Sequence, residues 1–259
     1  MPRPVLLSVA ALATTLLAGC DAGGPSNSAQ VSFGTATQPA ASSSSSSGSE
    51  TFTDGSSNTL VINRVQLVVR EIELKRTETS TSCDDSGHDA CEELELGPIL
   101  LDLPLGGGGV AHSFTVPVAA GSYDEVEFEI HPASHDDTPD QAFVQAHPDL
   151  AGVSVQVDGT YNGASFSYTS DLSAEEEIEL SPALTLAESG TADLTLMVDL
   201  DRWFRDGAGL LIDPATANVG LVNETLVESN IRATLHAFED ENHDGTDDHG
   251  GADDPQPHG

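Results

Sequence analysis

Asp240-Glu241-Asn242-His243-Asp244-Gly245-Thr246-Asp247-Asp248, near the C-terminus, is the strongest ligand-binding pattern in the chain. Asp240, Asn242 and Asp244 alternate, so their side-chain oxygens can converge on one point. Gly245 permits a sharp turn, Thr246 can offer its carbonyl, and Asp248 falls at the ninth position. An all-oxygen set of this kind suits a hard cation, and Ca²⁺ is the expected ion. Residues 239–254 also hold eight carboxylates and no Lys or Arg, so a divalent ion would relieve their repulsion. The twelfth position is Gly251 rather than a bidentate Glu. The expected affinity is therefore weak, on the order of 10⁻⁴–10⁻³ M. The plainer reading of the same residues is an acidic, solvated tail.

A second group of metal-capable side chains surrounds one loop. His131, His135 and His147 lie near Asp136, Asp137, Asp140 and Asp149. Imidazole with carboxylate suits zinc or another transition metal. Yet no H-E-x-x-H helix occurs, and loops rich in His, Asp and Pro are commonly only solvated. Cys83 and Cys91 bracket a polar stretch containing His88. In an oxidising compartment two neighbouring thiols form a disulfide, and a loop this short would contribute about 2.5 kcal/mol. The alternative, a zinc site with His88, lacks a fourth ligand.

Covalent catalysis finds no support: the chain has no G-x-S-x-G elbow, no P-loop and no dinucleotide fingerprint. With 43 Asp and Glu residues, pairs of carboxylates are everywhere and single out no glycosidase site. Against those 43 stand 8 Lys and Arg, for a formal net charge of -35. Such a chain does not grip nucleic acid, whose affinity comes from cations displacing counterions.

The N-terminus carries an export pattern. Arg3 supplies positive charge, Val5 to Ala18 is apolar, and Leu17-Ala18-Gly19-Cys20 closes the segment. An apolar run of about 14 residues is short for a membrane span and right for a signal peptide. The last four residues resemble the lipobox of bacterial lipoproteins. That resemblance implies removal of residues 1–19 and a diacylglyceryl group on Cys20. The mature protein is then expected on an envelope membrane, inner or outer, held by its N-terminal lipid and facing the periplasm or the cell surface.

The elements that position these groups follow from periodicity. Residues 20–58, rich in Ser, Gly and Thr with serines at every position from Ser42 to Ser47, read as a disordered tether. Strict alternation marks strands around Phe114–Val118, Val126–Ile130, Val153–Val157 and Ala192–Val198. Residues 60–76 read as a strand whose parity changes near Arg70, which predicts a bulge there. Residues 98–104 and 176–186 add strands, and Tyr161-Asn162-Gly163-Ala164 predicts a type I′ hairpin. Asp213-Pro214 resembles a helix start. Val227, Ile231, Leu235 and Phe238 share one helical stripe, which predicts a helix over 224–237 packed on the sheets. Trp203 and Phe204 are expected beneath it as core plugs.

Together these predict a mainly β fold: an antiparallel β-sandwich of transthyretin or immunoglobulin type with a C-terminal helix over 59–238, then an acidic tail over 239–259. Pro117 to Val126 resembles the P-x-G-x-Y turn of transthyretin-like sandwich modules, which implies that Gly121 makes a corner and Tyr123 packs over it. The wider layout resembles an uncharacterised domain of bacterial lipoproteins: Val65 to Val69, Leu100 to Leu103, Gly121 to Tyr123 and Asp199 to Phe204 carry the likeness. The metal loop resembles those of dockerin and thrombospondin type-3 repeats. Two functional readings follow. The first is a non-enzymatic envelope lipoprotein that binds or scaffolds another envelope protein or glycan. The second is a metal-dependent or carbohydrate-active enzyme using His131, His135 and His147.

Overall fold

The computed structural model describes residues 28–38, 43–46, 48–77, 97–106 and 109–248. The chain is mainly β, and two sheets pack face to face as a sandwich. One sheet holds β12 (Leu235–Glu239), β11 (Thr191–Val198), β1 (Ser28–Thr37) and β6 (Ala111–Ala119), in that order. The other is built on β4 (Thr59–Arg76) and runs β10 (Ala174–Leu186), β7 (Gly121–Ile130), β4, β3 (Ser49–Thr53), β2 (Ser43–Ser46). Also on β4 are β5 (Ile99–Asp102) and the hairpin of β8 (Val155–Tyr161) and β9 (Ala164–Ser170). Pairing is antiparallel except between β1 and β11.

Three strands correct the tether expected over 20–58: β1, β2 and β3, the last with Phe52 buried. β1 is a central strand of the first sheet, with Ala29, Val31 and Phe33 buried in the core. Flanked on both sides, β1 saturates its backbone hydrogen bonds, and three alternating apolar side chains suffice to seat it. The expected acidic tail is likewise part of the body as far as Asp248. Cys20, Cys83 and Cys91 lie outside the described residues. Among the described residues no helix is long and apolar enough to cross a membrane.

β4 spans both halves of its sheet. Its first part pairs with β8, from Leu60–Tyr161 to Leu67–Val155, and its last part pairs with β7, from Val69–Ile130 onward. The register breaks between Val69 and Glu71, at the expected bulge. The segment joining β7 to β8 fills the resulting wedge. It contains α1 (Gln141–Ala146) and builds a small second core from Val68, Ala133, Phe143, Val144 and Leu150. Three consecutive residues, Leu67 to Val69, are therefore buried: Val68 points away from the main core but is covered by this segment.

β6 and β7 lie in different sheets, and the chain crosses between them at Ala120. Tyr123, fully buried, donates its hydroxyl to the Ala119 carbonyl at 2.8 Å and fastens that corner. The expected hairpin is present, with Asn162 at φ 50° and Gly163 at φ 82°, both in the left-handed region a type I′ turn requires.

The expected 224–237 helix is shorter than its stripe. α3 covers Glu224–Arg232, with Val227 and Ile231 buried, and the chain then turns into β12. Leu235 is buried from a strand rather than from the helix. Thr234 ends α3 by donating its hydroxyl to the Ile231 carbonyl at 2.8 Å. The same oxygen accepts the Trp203 indole N–H at 2.8 Å. Trp203, in α2 (Leu200–Trp203), and Phe204 are completely buried, as expected of core plugs.

Candidate functional site

The Asp240–Asp248 loop follows β12 directly and folds back over the outer face of the first sheet. Gly245 lies near Met197 of β11 and Ala36 of β1, so the loop covers small and apolar side chains that point away from the core. Asp240 is completely buried. Its backbone N–H bonds the Asp193 carbonyl at 2.9 Å, extending the β11–β12 ladder by one step. Its Oδ1 accepts the Asp244 N–H at 3.0 Å, and its Oδ2 accepts the Gly245 N–H at 3.0 Å.

The remaining polar residues of the pattern brace the same turn. Asn242 Oδ1 accepts the Asp244 N–H at 2.9 Å, and Asp244 Oδ1 accepts both the N–H and the hydroxyl of Thr246. That hydroxyl foremost holds the Asp244 carboxyl below its ordinary range. Asp248 accepts from the Asn242 N–H at 3.2 Å and from its side-chain amide. His243 and Gly245 take left-handed φ angles of 58° and 79°. His243 Nε2 lies 3.3 Å from Asp193.

The five residues expected as ligands are thus gathered on one compact turn. A carboxylate offers about four lone-pair sites. Asp240 uses one on Oδ1, for the Asp244 N–H, and two on Oδ2, for the Gly245 N–H and the Thr195 hydroxyl, so these bonds leave one Oδ1 lone pair unused. Asp240, Asp244 and Asp248 do not bring three carboxylate oxygens within 4.8 Å of one another. Beside the loop an open cleft of about 860 Å³ runs between the edge strands β10 and β12. Ile178, Leu180, Met197 and Phe238 give it an apolar lining, and Glu239 and Asp247 stand among its acidic groups.

The histidine loop comes out differently. His131 Nδ1 is 3.0 Å from the Ser173 hydroxyl, at the start of β10. His147 packs on Phe143 with ring centroids 4.8 Å apart, while His135 lines a separate shallow cleft with Gln141 and Gln145. Asp137 and Asp140 serve the wedge instead. Both face Arg70 at the β4 bulge, and buried Asp140 accepts the Ser134 N–H at 2.9 Å. Burial lowers the Arg70 pKa, but the charges of Asp140 and Asp137 outweigh it and the net shift is upward. Among the described residues, no group of three close metal-capable side chains includes a histidine.

Two groups of three carboxylates do come that close: Glu125, Glu127 and Glu177, and Asp171, Glu224 and Glu228. Sequence reasoning singled out neither. The first is already served by a cation. Lys75 Nζ lies 2.7, 2.6 and 3.8 Å from Glu125, Glu127 and Glu177, and the hydrogen bonds it donates to the first two raise its pKa.

The fold and site together define a two-sheet β-sandwich with an acidic loop laid over one outer face. A scan against protein-family models finds no match, and neither does a search of curated proteins. Among solved structures the chain is similar to MbnP from Methylosinus trichosporium, with 8% sequence identity and a TM-score of 0.35, over 66% of this chain and 76% of that one. A likeness at that level carries no argument about fold or activity.

Proposed function

We propose that the protein is a cell-envelope lipoprotein, anchored through a lipid on Cys20, whose sandwich acts as a binding or structural module and not as an enzyme. The observation that carries this reading is the order of charge, apolar run and Leu17-Ala18-Gly19-Cys20 at the N-terminus. Two or more acyl chains anchor a protein stably, because each buried CH₂ adds about 0.8 kcal/mol. The partner is another envelope protein or a glycan. A Cys83–Cys91 disulfide belongs to the same reading, since export leads to an oxidising compartment.

The C-terminal loop adds a weak, structural Ca²⁺ site held by Asp240, Asn242, Asp244, Asp248 and the Thr246 carbonyl. The pre-bent turn and the spare lone pair on Asp240 support it. The ion would tie the loop to the outer face of the first sheet.

Membrane fractionation of cells expressing the full chain tests the anchor. Cys20→Ser should move the protein into the soluble fraction, and retention of that variant in membranes would refute lipidation. Calorimetry tests the loop: an Asp240→Ala/Asp244→Ala variant that takes up as much Ca²⁺ as the parent would reduce it to a solvated acidic turn.

A further inference from the structure

We propose that the open cleft between β10 and β12 is a docking groove for an extended segment of a partner protein, one that alternates basic and apolar side chains and adds as a strand to the edge of β12. The proposal rests on the reading of the sandwich as a binding module and narrows its partner to a polypeptide. It does not depend on the lipid anchor.

β12 is the last strand of its sheet, and β10 is the last strand of the other. Among the described residues no strand pairs with β12 on its outer side. The register decides which backbone groups face that side. At the two ends of the β11–β12 ladder, the Asp199 N–H bonds the Thr234 carbonyl and the Asp240 N–H bonds the Asp193 carbonyl. In an antiparallel pair such hydrogen-bonded residues alternate with residues whose N–H and C=O point away from the neighbouring strand. Leu235, Ala237 and Glu239 are therefore the residues of β12 that turn these groups outward. The chain itself uses this edge once: the Asp248 N–H bonds the Glu239 carbonyl at 3.2 Å. Ala237, half-buried in the wall of the cleft, presents both its N–H and its C=O to an incoming strand. Main-chain pairing of this kind supplies affinity, and pockets for alternate side chains supply specificity.

The side chains of the cleft specify what such a strand must carry. Towards the interior of the sandwich, Ile178, Leu180 and Leu184 of β10 line it with Ala237, and all four belong to the main core or pack on it. At its rim stand the exposed carboxylates Glu179 and Asp247, with Glu239 at the end of β12. Neither Lys nor Arg is among the lining residues. An added strand sends alternate side chains to opposite faces. Apolar residues then enter the interior side, and basic residues meet the carboxylates. Charge decides between occupants. A second copy of this chain brings the same net charge of -35, and nucleic acid or an anionic membrane surface is repelled in the same way. Residues 249–259, which follow the loop beside the cleft, add Asp253 and Asp254 and no Lys or Arg, so they too are the wrong sign. A cationic segment is drawn in. The volume of about 860 Å³ leaves room for one.

The test is calorimetry on the whole mature chain, residues 20–259 with Cys20→Ser, with a short synthetic peptide of alternating Lys and Val as the probe. The probe should bind, and its Glu–Val counterpart should not. N-methylation of alternate amides keeps the charge of the probe but removes the donors of one edge, and should weaken binding about tenfold or more. On the protein, Ala237→Pro removes an N–H that faces the cleft and none that faces β11, a position where an edge strand tolerates proline, and should weaken binding about as much. Glu179→Lys, at an exposed position, should weaken it too. Hydrogen exchange should show the Ala237 amide gaining protection when the probe is added. Equal binding of the N-methylated and parent probes would mean diffuse attraction to an acidic surface and would overturn the groove, as would an Ala237 amide that exchanges no more slowly. A neutral oligosaccharide that protects Ala237 where the probe does not would overturn the strand proposal and leave the binding module standing. Fractionation of the Cys20→Ser protein reads the anchor separately.

Discussion

Thr195 Oγ1 donates a hydrogen bond to Asp240 Oδ2 at 3.1 Å, between two buried side chains. The contact joins the outer face of β11 to the first residue of the acidic loop. With the N–H groups of Asp244 and Gly245, it gives the Asp240 carboxylate three donors. The residue is therefore a structural anchor for the loop whether or not an ion is present. Asp240→Ala leaves those donors without their acceptor and should destabilise the protein by about 2–3 kcal/mol. Asp248→Ala, at an exposed position, should cost under about 1 kcal/mol. Urea unfolding of both variants without added calcium checks the order.

The loop is legible in the sequence because its geometry is local. Asx-type side chains bond their own backbone two residues on, so spacing alone announces the turn. The Arg70 bulge and the Asn162-Gly163 hairpin are legible for the same reason. β1 is not: its alternation of Ala29, Val31 and Phe33 sits among Ser, Gly and Thr, and composition outweighs period. What rescues this strand is the pairing with β6 and β11, which lies more than 70 residues away in each case. The end of α3 misleads because Leu235 and Phe238 continue a helical stripe although Thr234 closes the helix. Asp171, Glu224 and Glu228 are invisible as a group because only the packing of α3 near the end of β9 brings them together.

Asp54 makes the stability of the hairpin between β3 and β4 dependent on pH. Its carboxylate accepts the Asn58 side-chain amide at 2.8 Å and the N–H groups of Ser56, Asn58 and Leu211 at 2.8–2.9 Å. The Asn58 amide is the largest influence that lowers its pKa from 3.8 to about 2. A depressed folded-state value stabilises the protein above the unfolded pKa, and the gain is lost as pH falls through the folded one. The stability difference between wild type and Asp54→Asn should thus be constant above about pH 4 and shrink steadily towards pH 2. A difference that does not change over this window would show that the carboxylate charge does not matter there.

Thr234 ties the chain's single tryptophan to the end of α3. Thr234→Val keeps the shape but removes the acceptor of the buried Trp203 N–H. The expected loss is about 1–3 kcal/mol, with a change in the tryptophan emission of the folded state. Thr216→Val removes a hydroxyl from a half-buried turn and should leave that emission unaltered. Fluorescence-monitored unfolding reads both effects in one experiment.

Gly159 marks a closeness of strands that no propensity would predict. It faces Ile62 at the point where the β4–β8 register shifts, and a Cβ built there would lie 1.9 Å from the Val61 carbonyl oxygen. The obstacle is backbone, so it cannot swing aside as a side chain would. Gly159→Ala must push β8 away from β4 or bend one of them. It should cost about 2–3 kcal/mol, at the upper end of overpacking penalties. Gly55→Ala is the matched control: nothing lies within 4 Å of the place its Cβ would take, and it should change stability by less than about 0.5 kcal/mol. Hydrogen exchange should localise the damage, with amides of β8 and β9 losing protection before those of β7 and β10. The ordering follows from the fold, because β4 holds the two groups of strands through separate halves of its length. Uniform loss of protection across the sheet would mean that β4 couples the halves into one cooperative unit despite the break at Arg70.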